Sequence, residues 1–193
     1  MVLSWGLFYF LHTALAASKL KRILESRWPN PYKWYRLFYS VLSSILFLGV
    51  LIQAMVLPVK SVFSPSSFNQ YAGYMIATAG VIVLLRSLKE VSIKSFLGIK
   101  QDKSAGSVPE LVISGIYSQI RHPLYLGLVA VFFGYFLVSG TVGALIHLGC
   151  LITYLPLGIY FEEKNLIAFF GENYREYRRE VPAFLPRIHK KRG

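Results

Sequence analysis

Two short polar clusters interrupt an otherwise apolar stretch of chain. Arg121-His122-Pro123 stands directly before one hydrophobic run, and Glu162-Glu163 directly after another. Their side chains suit recognition of a ligand that carries both signs of charge. Arg121 offers a planar fork for a carboxylate or phosphate, and His122 a neutral donor and acceptor. Pro123 fits the first turn of a helix, whose unpaired N–H groups and dipole favour an anion. The acidic pair suits an ammonium group or ribose hydroxyls. A plainer reading stands beside this one: Arg121 and His122 anchor a helix at a membrane surface, and Glu162 and Glu163 are ordinary helix-end charges.

The elements that must position these groups follow from composition. The 193 residues are 54% hydrophobic and 16% charged, with a mean hydropathy of +0.48. Soluble domains are about one quarter charged, so the chain reads as an all-α, polytopic integral membrane protein forming one domain. Five apolar runs are visible: Val2 to Ala17, Leu37 to Leu57, Phe68 to Leu85, Leu124 to Val138 and Val142 to Phe161. Three are short against the ~20 residues that span hydrocarbon, a shortfall that snorkelling Lys and Arg or a thinner bilayer can make up. Lys and Arg in the successive connections and the tail number 6, 1, 6, 0 and 8. With five spans, 20 of the 21 cations lie on one side, which the positive-inside rule makes cytoplasmic. The N-terminus is then outside and the C-terminus inside. The first run lacks a preceding basic region and is a poor signal peptide. The net charge of +12 is expected to meet anionic lipid headgroups rather than nucleic acid. The single cysteine, Cys150, excludes an intrachain disulfide and a Cys metal cluster, and no metal is called for.

The last two apolar runs form a hairpin closed by Ser139-Gly140-Thr141. Arg121 and Glu162 lie ~27 and ~31 Å from that turn at 1.5 Å per residue. Arg121, His122, Glu162 and Glu163 are therefore expected to converge at its cytoplasmic mouth. Before the hairpin, residues 86–101 pattern as an interfacial helix and 102–110 as a turn region, while "WPNPYKWYR" (28–36) reads as an aromatic connector. Beyond it, Leu166, Phe169, Phe170, Tyr174 and Tyr177 share one face of a tail helix that Gly171 interrupts and "VPAFLP" ends. His147 lies ~22 Å along its helix from Glu162. That is too far for the same site, so a helix–helix hydrogen bond is expected of it. His12 is ambiguous, and Pro156 is expected to kink its helix.

"GIYSQIRHPLYLG", followed about 40 residues later by "EEKNLIAFFGENYREYRREVPAFLP", resembles the isoprenylcysteine carboxyl methyltransferase family and its phospholipid methyltransferase relatives. The shared pattern is Arg-His-Pro-x-Tyr-x-Gly, a helical hairpin, then Glu-Glu, Phe-Gly, two tyrosines and a Pro-bounded end, over residues 111 to 187. Residues 1–110 would then be N-terminal helices and a cytoplasmic loop, and 111–187 the cofactor-binding core. The resemblance implies S-adenosylmethionine as cofactor, bound from the cytosol, and a lipophilic or lipid-modified acceptor entering from the bilayer. By the same resemblance His122, Pro123, Tyr125, Gly127, Glu162, Glu163 and Tyr174 would line the cofactor site, with Tyr177 in the closing tail. Arg121, with Glu163, would serve the reaction centre, Arg121 orienting the acceptor. The N-terminal part, "LHTALAASKLKR … YKWYRLFYS", is more similar to a small prokaryotic branch that includes NnrU-like proteins and methanethiol S-methyltransferases. Methyl transfer to a carboxylate needs no base; a thiol must first lose its proton, with His122 as a candidate helper. An NADPH-dependent sterol-type reductase, a non-catalytic NnrU-like accessory protein and a phospholipid N-methyltransferase remain as alternatives.

Overall fold

A computed structural model describes residues 1–90 and 111–185. The interfacial helix expected over 86–101 lies, past Glu90, outside the described residues, as do the turn region to 110 and the basic end of the tail from 186. The chain forms α1 (Val2–Ala16), α2 (Ser18–Arg27), α3 (Pro29–Val56), α4 (Ser67–Glu90), a 3-10 turn (Gly115–Ser118), α5 (Pro123–Ser139), α6 (Val142–Phe170) and α7 (Glu172–Glu180). Among the described residues there is no β-strand, only an isolated bridge between Ser61 and Thr141.

Each expected apolar run is helical, but two boundaries differ from expectation. α3 begins at Pro29 rather than Leu37, so the supposed connector is helix. A proline in the first turn loses no hydrogen bond, and its fixed φ suits the start of a helix. α6 continues to Phe170 rather than stopping at Phe161, which places Glu162 and Glu163 inside the helix. Leu166 and Phe170 are therefore the end of α6, not the start of a separate tail helix. The break falls at Gly171, whose φ of 59° is a conformation glycine adopts at little cost. α6 runs unbroken through Pro156.

α4 and α6 are long and apolar enough to cross a membrane, while α1, α5 and the 37–53 part of α3 are shorter apolar helices. Large apolar side chains point outward along the bundle, Leu3, Met55, Phe68 and Met75 among them. This is the pattern of a helical membrane protein, in which lipid covers what a soluble fold would bury. The interior cluster is small: Trp5, Val50, Phe132, Leu148, Leu151 and Leu155. At its centre the Trp5 indole N–H donates to His147 Nδ1 at 2.9 Å, the helix–helix bond expected of His147. His12 Nδ1 meets Ser43 Oγ at 3.0 Å.

α4 and α5 approach more closely than their apolar composition alone would allow. A Cβ on Gly73 would fall 2.7 Å from the Gly134 carbonyl oxygen, and one on Gly80 would fall 2.8 Å from that of Gly127. Both pairs recur at seven-residue spacing, so small residues line one stripe on each helix and the backbones touch. At the far end of the bundle, Val62 N–H donates to Gly140 O at 2.7 Å and Val142 N–H to Lys60 O at 2.8 Å. Met1 lies against Gly143 there. The hairpin turn, the loop after α3 and the chain start therefore share one end, opposite the polar mouth.

Candidate active site

The 3-10 turn delivers the chain to α5. Pro123 stands in the first turn of α5 and His122 is its N-cap residue. The tail returns from α7 and covers this junction. Arg121 N–H donates to Pro182 O at 2.9 Å and His122 N–H to Ala183 O at 3.1 Å, while the Phe184 ring lies 6.1 Å from the imidazole. Tyr177 Oη donates to Tyr117 O at 2.7 Å. Two backbone groups at the start of α5 thus find partners in the tail, and the mouth gains a roof.

Arg121, His122, Glu162 and Glu163 come together as their distance from the hairpin turn required, with unequal duties. Glu163 is the hub. Its Oε1 accepts from Arg121 Nε at 3.1 Å and Nη2 at 2.9 Å and lies 3.1 Å from His122 Nε2. Arg178 Nε sits 3.2 Å from its Oε2. Burial pushes the Glu163 carboxyl up, but the hydrogen bonds from His122 and Arg121, with the charges of Arg121 and Arg178, hold it below the usual carboxylate range. Arg121 is committed as well: Nη1 donates to Arg178 O at 3.0 Å and also to Val181 O. Its fork points inward, at Glu163 and the tail. The His122 side chain is 2% exposed and faces a carboxylate on both sides, with Nδ1 3.6 Å from Glu162 Oε2. Nε2 is engaged with Glu163 at 3.1 Å, and Nδ1 stands farther from its own carboxylate.

Glu162 is the less engaged member, with a side chain 44% exposed. The Tyr125 hydroxyl lies beside it, and the Tyr125 ring is 5.7 Å from that of His122. Tyr174 is buried at 1% exposure. Burial, then the nearby Glu163 carboxylate, raises its phenol, and burial pushes that of Tyr177 up to about 12. Gly127 stands apart. It faces Leu84 and Gly80 of α4, ~200° around the helix from Tyr125, where its lack of a side chain serves packing. Sequence reasoning missed Arg178, the carbonyls of residues 181–183 and Phe184; the Pro-bounded end of the tail was the visible hint.

A polar mouth covered by the chain's own tail thus stands at one end of a hairpin of apolar helices. Comparison with known proteins gives the class. The family model described as phospholipid methyltransferase matches residues 68–173, more than half of the chain, and the chain belongs to that family. It is a methyltransferase, similar also to the isoprenylcysteine carboxyl methyltransferases. A methanethiol S-methyltransferase of Crocosphaera subtropica is 27% identical over 191 residues, covering 96% of this chain and 73% of the relative. Methanethiol S-methyltransferase 2 of Bradyrhizobium diazoefficiens is 28% identical over 99% of this chain and 74% of its own. A protein-S-isoprenylcysteine O-methyltransferase of Xenopus laevis is 41% identical, over 40% of this chain and 27% of its own. No solved structure matches.

Proposed function

We propose that the chain transfers a methyl group from S-adenosylmethionine to a lipophilic acceptor bearing a thiol or a carboxylate, at the cytoplasmic face of a five-span bundle. The observation that carries this reading is the joining of the Arg121-His122-Pro123 turn to the Glu162-Glu163 pair beneath the tail. The residues present fit the cofactor. Glu162, half-exposed, suits ribose hydroxyls or an ammonium group; His122, Pro123, Tyr125 and Tyr174 line the same mouth, and Phe184 adds a ring beside His122. Bound there, S-adenosylmethionine supplies a methyl group already activated as a sulfonium. Arg121 and Glu163 position His122 and hold the tail closed, so donor and acceptor meet in a fixed geometry; alignment of this kind contributes ~7 to 11 kcal/mol.

The charge alternation along the chain and the shared end of Met1, the loop after α3 and the hairpin turn support five spans, with the N-terminus outside. Of the two acceptor classes, a short thiol is favoured. The relatives named for methanethiol match nearly the whole chain, whereas the isoprenylcysteine enzyme matches only 40% of it.

The test is calorimetric titration of the detergent-purified protein with S-adenosylhomocysteine and, in parallel, with NADPH. Binding of the first, weakened tenfold or more in Glu162→Gln, is expected. Binding of NADPH instead would place the chain among reductases, and silence from both in folded protein would favour an accessory role.

A further inference from the structure

A thiol acceptor raises a question that the hub cannot answer: where does its proton go? Glu163 is held ionised by three cationic or hydrogen-bonding partners, Arg121 is a permanent cation, and both nitrogens of His122 already face carboxylates. The less engaged carboxylate is Glu162, its side chain 44% exposed and its His122 contact long at 3.6 Å, so that one of its oxygens can serve the cofactor's hydroxyls and the other take a proton. It reaches the bundle interior through Tyr125. Gly158 lies one turn before Glu162 on α6, and a Cβ there would stand 3.6 Å from the Tyr125 hydroxyl and 3.0 Å from Cε1 of Tyr154. The missing side chain lets the Tyr125 hydroxyl settle over α6, between Tyr154 on the apolar side and Glu162 on the wet side.

We propose that Tyr125 and Glu162 form the proton outlet of the site, Tyr125 touching the acceptor sulfur and Glu162 collecting the proton. This rests on the methyltransferase reading and on a thiol acceptor. The acceptor S–H bond breaks, its proton passing to the Tyr125 oxygen as the proton of Tyr125 passes to the Glu162 carboxylate. The acceptor sulfur then forms the new bond to the methyl carbon. The pair of the broken sulfonium C–S bond stays on the departing sulfur, leaving two neutral thioethers. Glu162 releases its proton to water. The groups facing Glu162 are His122, which caps α5, and Tyr125 of α5; Tyr117 of the 3-10 turn and Tyr174 of α7 lie within its electrostatic reach, with Glu163 next in sequence. Tyr125 is the catalytic residue here, and Glu162 acts through it.

The experiment uses the full chain in detergent with ethanethiol and with a farnesylcysteine carboxylate as acceptors, comparing wild type, Tyr125→Phe, Glu162→Gln and Glu162→Asp. Proton-transfer groups contribute ~10²- to 10⁴-fold. Thiol kcat at pH 7 is expected to fall about 100-fold in Tyr125→Phe and Glu162→Gln and to recover about tenfold per pH unit as the solvent ionises the thiol, with partial rescue in Glu162→Asp. Any turnover of the carboxylate acceptor, which releases no proton, should not show this pH-dependent loss. In cofactor-free protein, difference infrared titration of the Glu162 carboxyl band is expected to shift in Tyr125→Phe. A pH-independent loss, unchanged thiol kcat or an unshifted carboxyl band would each overturn the outlet. So would a wild type that binds S-adenosylhomocysteine but does not methylate ethanethiol. Failure to bind S-adenosylhomocysteine at all would sink the methyltransferase reading instead.

Discussion

Replacing Glu163 by glutamine removes the charge that three neighbours share, and the structure sets the scale of the loss. Three contacts converge on Oε1 at 2.9 to 3.1 Å, from two Arg121 nitrogens and from His122. The two carboxylate and guanidinium side chains are 8% and 11% exposed. Removing one partner of a buried ion pair leaves the other uncompensated, at ~3 to 5 kcal/mol. Arg178 reaches the same carboxylate from a side chain that is 50% exposed, and an exposed partner of that kind contributes ~0 to 1 kcal/mol. For a chain of this size 1 kcal/mol moves the melting temperature by ~2 to 4 °C. Glu163→Gln should therefore melt roughly 6 to 20 °C below wild type, and Arg178→Ala within about 4 °C of it. The assay is thermal unfolding in one detergent, followed by intrinsic fluorescence or by aggregation. A Glu163→Gln protein no less stable than Arg178→Ala would refute the assignment of Glu163 as the hub.

Four other outcomes are expected. Gly134→Ala would bring a Cβ to 2.5 Å from Gly73 O and 2.7 Å from Ala77 N, costing ~1 to 3 kcal/mol by overpacking. Gly49→Ala meets nothing within 4 Å and should gain up to ~1 kcal/mol in helix propensity; denaturant titration separates the two. Trp5→Phe strands His147 Nδ1 and should cost ~1 to 3 kcal/mol, part of which Trp5→Phe/His147→Leu recovers in the same titration. Because the folded-state value of Glu163 lies below its ordinary 4.5, its stabilisation is complete above that pH and is lost as pH falls through the lowered value. The acid limb of a stability–pH curve should flatten in Glu163→Gln. In a Cys150→Ser background, impermeant maleimide should label Lys60→Cys from outside intact cells, and Arg175→Cys only after the membrane is opened.

The polar mouth was legible because helical rise is regular: counting outward from Ser139-Gly140-Thr141 places Arg121 and Glu162 at one depth whatever the side chains between them do. The difference between Glu162 and Glu163 was not. Adjacent helical residues point ~100° apart, and which of them turns inward depends on how α6 is rotated against α5 and the tail. Arg178 escaped notice for a related reason, since it reads as one more charge on an exposed face until Gly171 redirects α7. The α4–α5 contact left a trace in the seven-residue spacing of Gly73 and Gly80 and of Gly127 and Gly134. The family resemblance gave Gly127 to the cofactor site, and in the structure it faces Gly80 and Leu84 of α4. The end of α6 was misjudged because charge was taken to end a helix. Charge ends an apolar run, but backbone hydrogen bonding continues until a residue such as Gly171 departs from it.

The glycine contacts between α4 and α5 also divide the site mechanically. Backbones meshed at Gly73–Gly134 and Gly80–Gly127 cannot slide by a fraction of a turn without driving carbonyl oxygens into neighbouring atoms, so the floor that carries His122 and Tyr125 is held at a fixed height. The roof is held differently, by hydrogen bonds from Arg121, His122 and Tyr177 to backbone carbonyls, each of which water can replace. The floor of the mouth is thus fixed by backbone contact and its cover by exchangeable hydrogen bonds, so amide exchange should open the cover well before the α4–α5 seam.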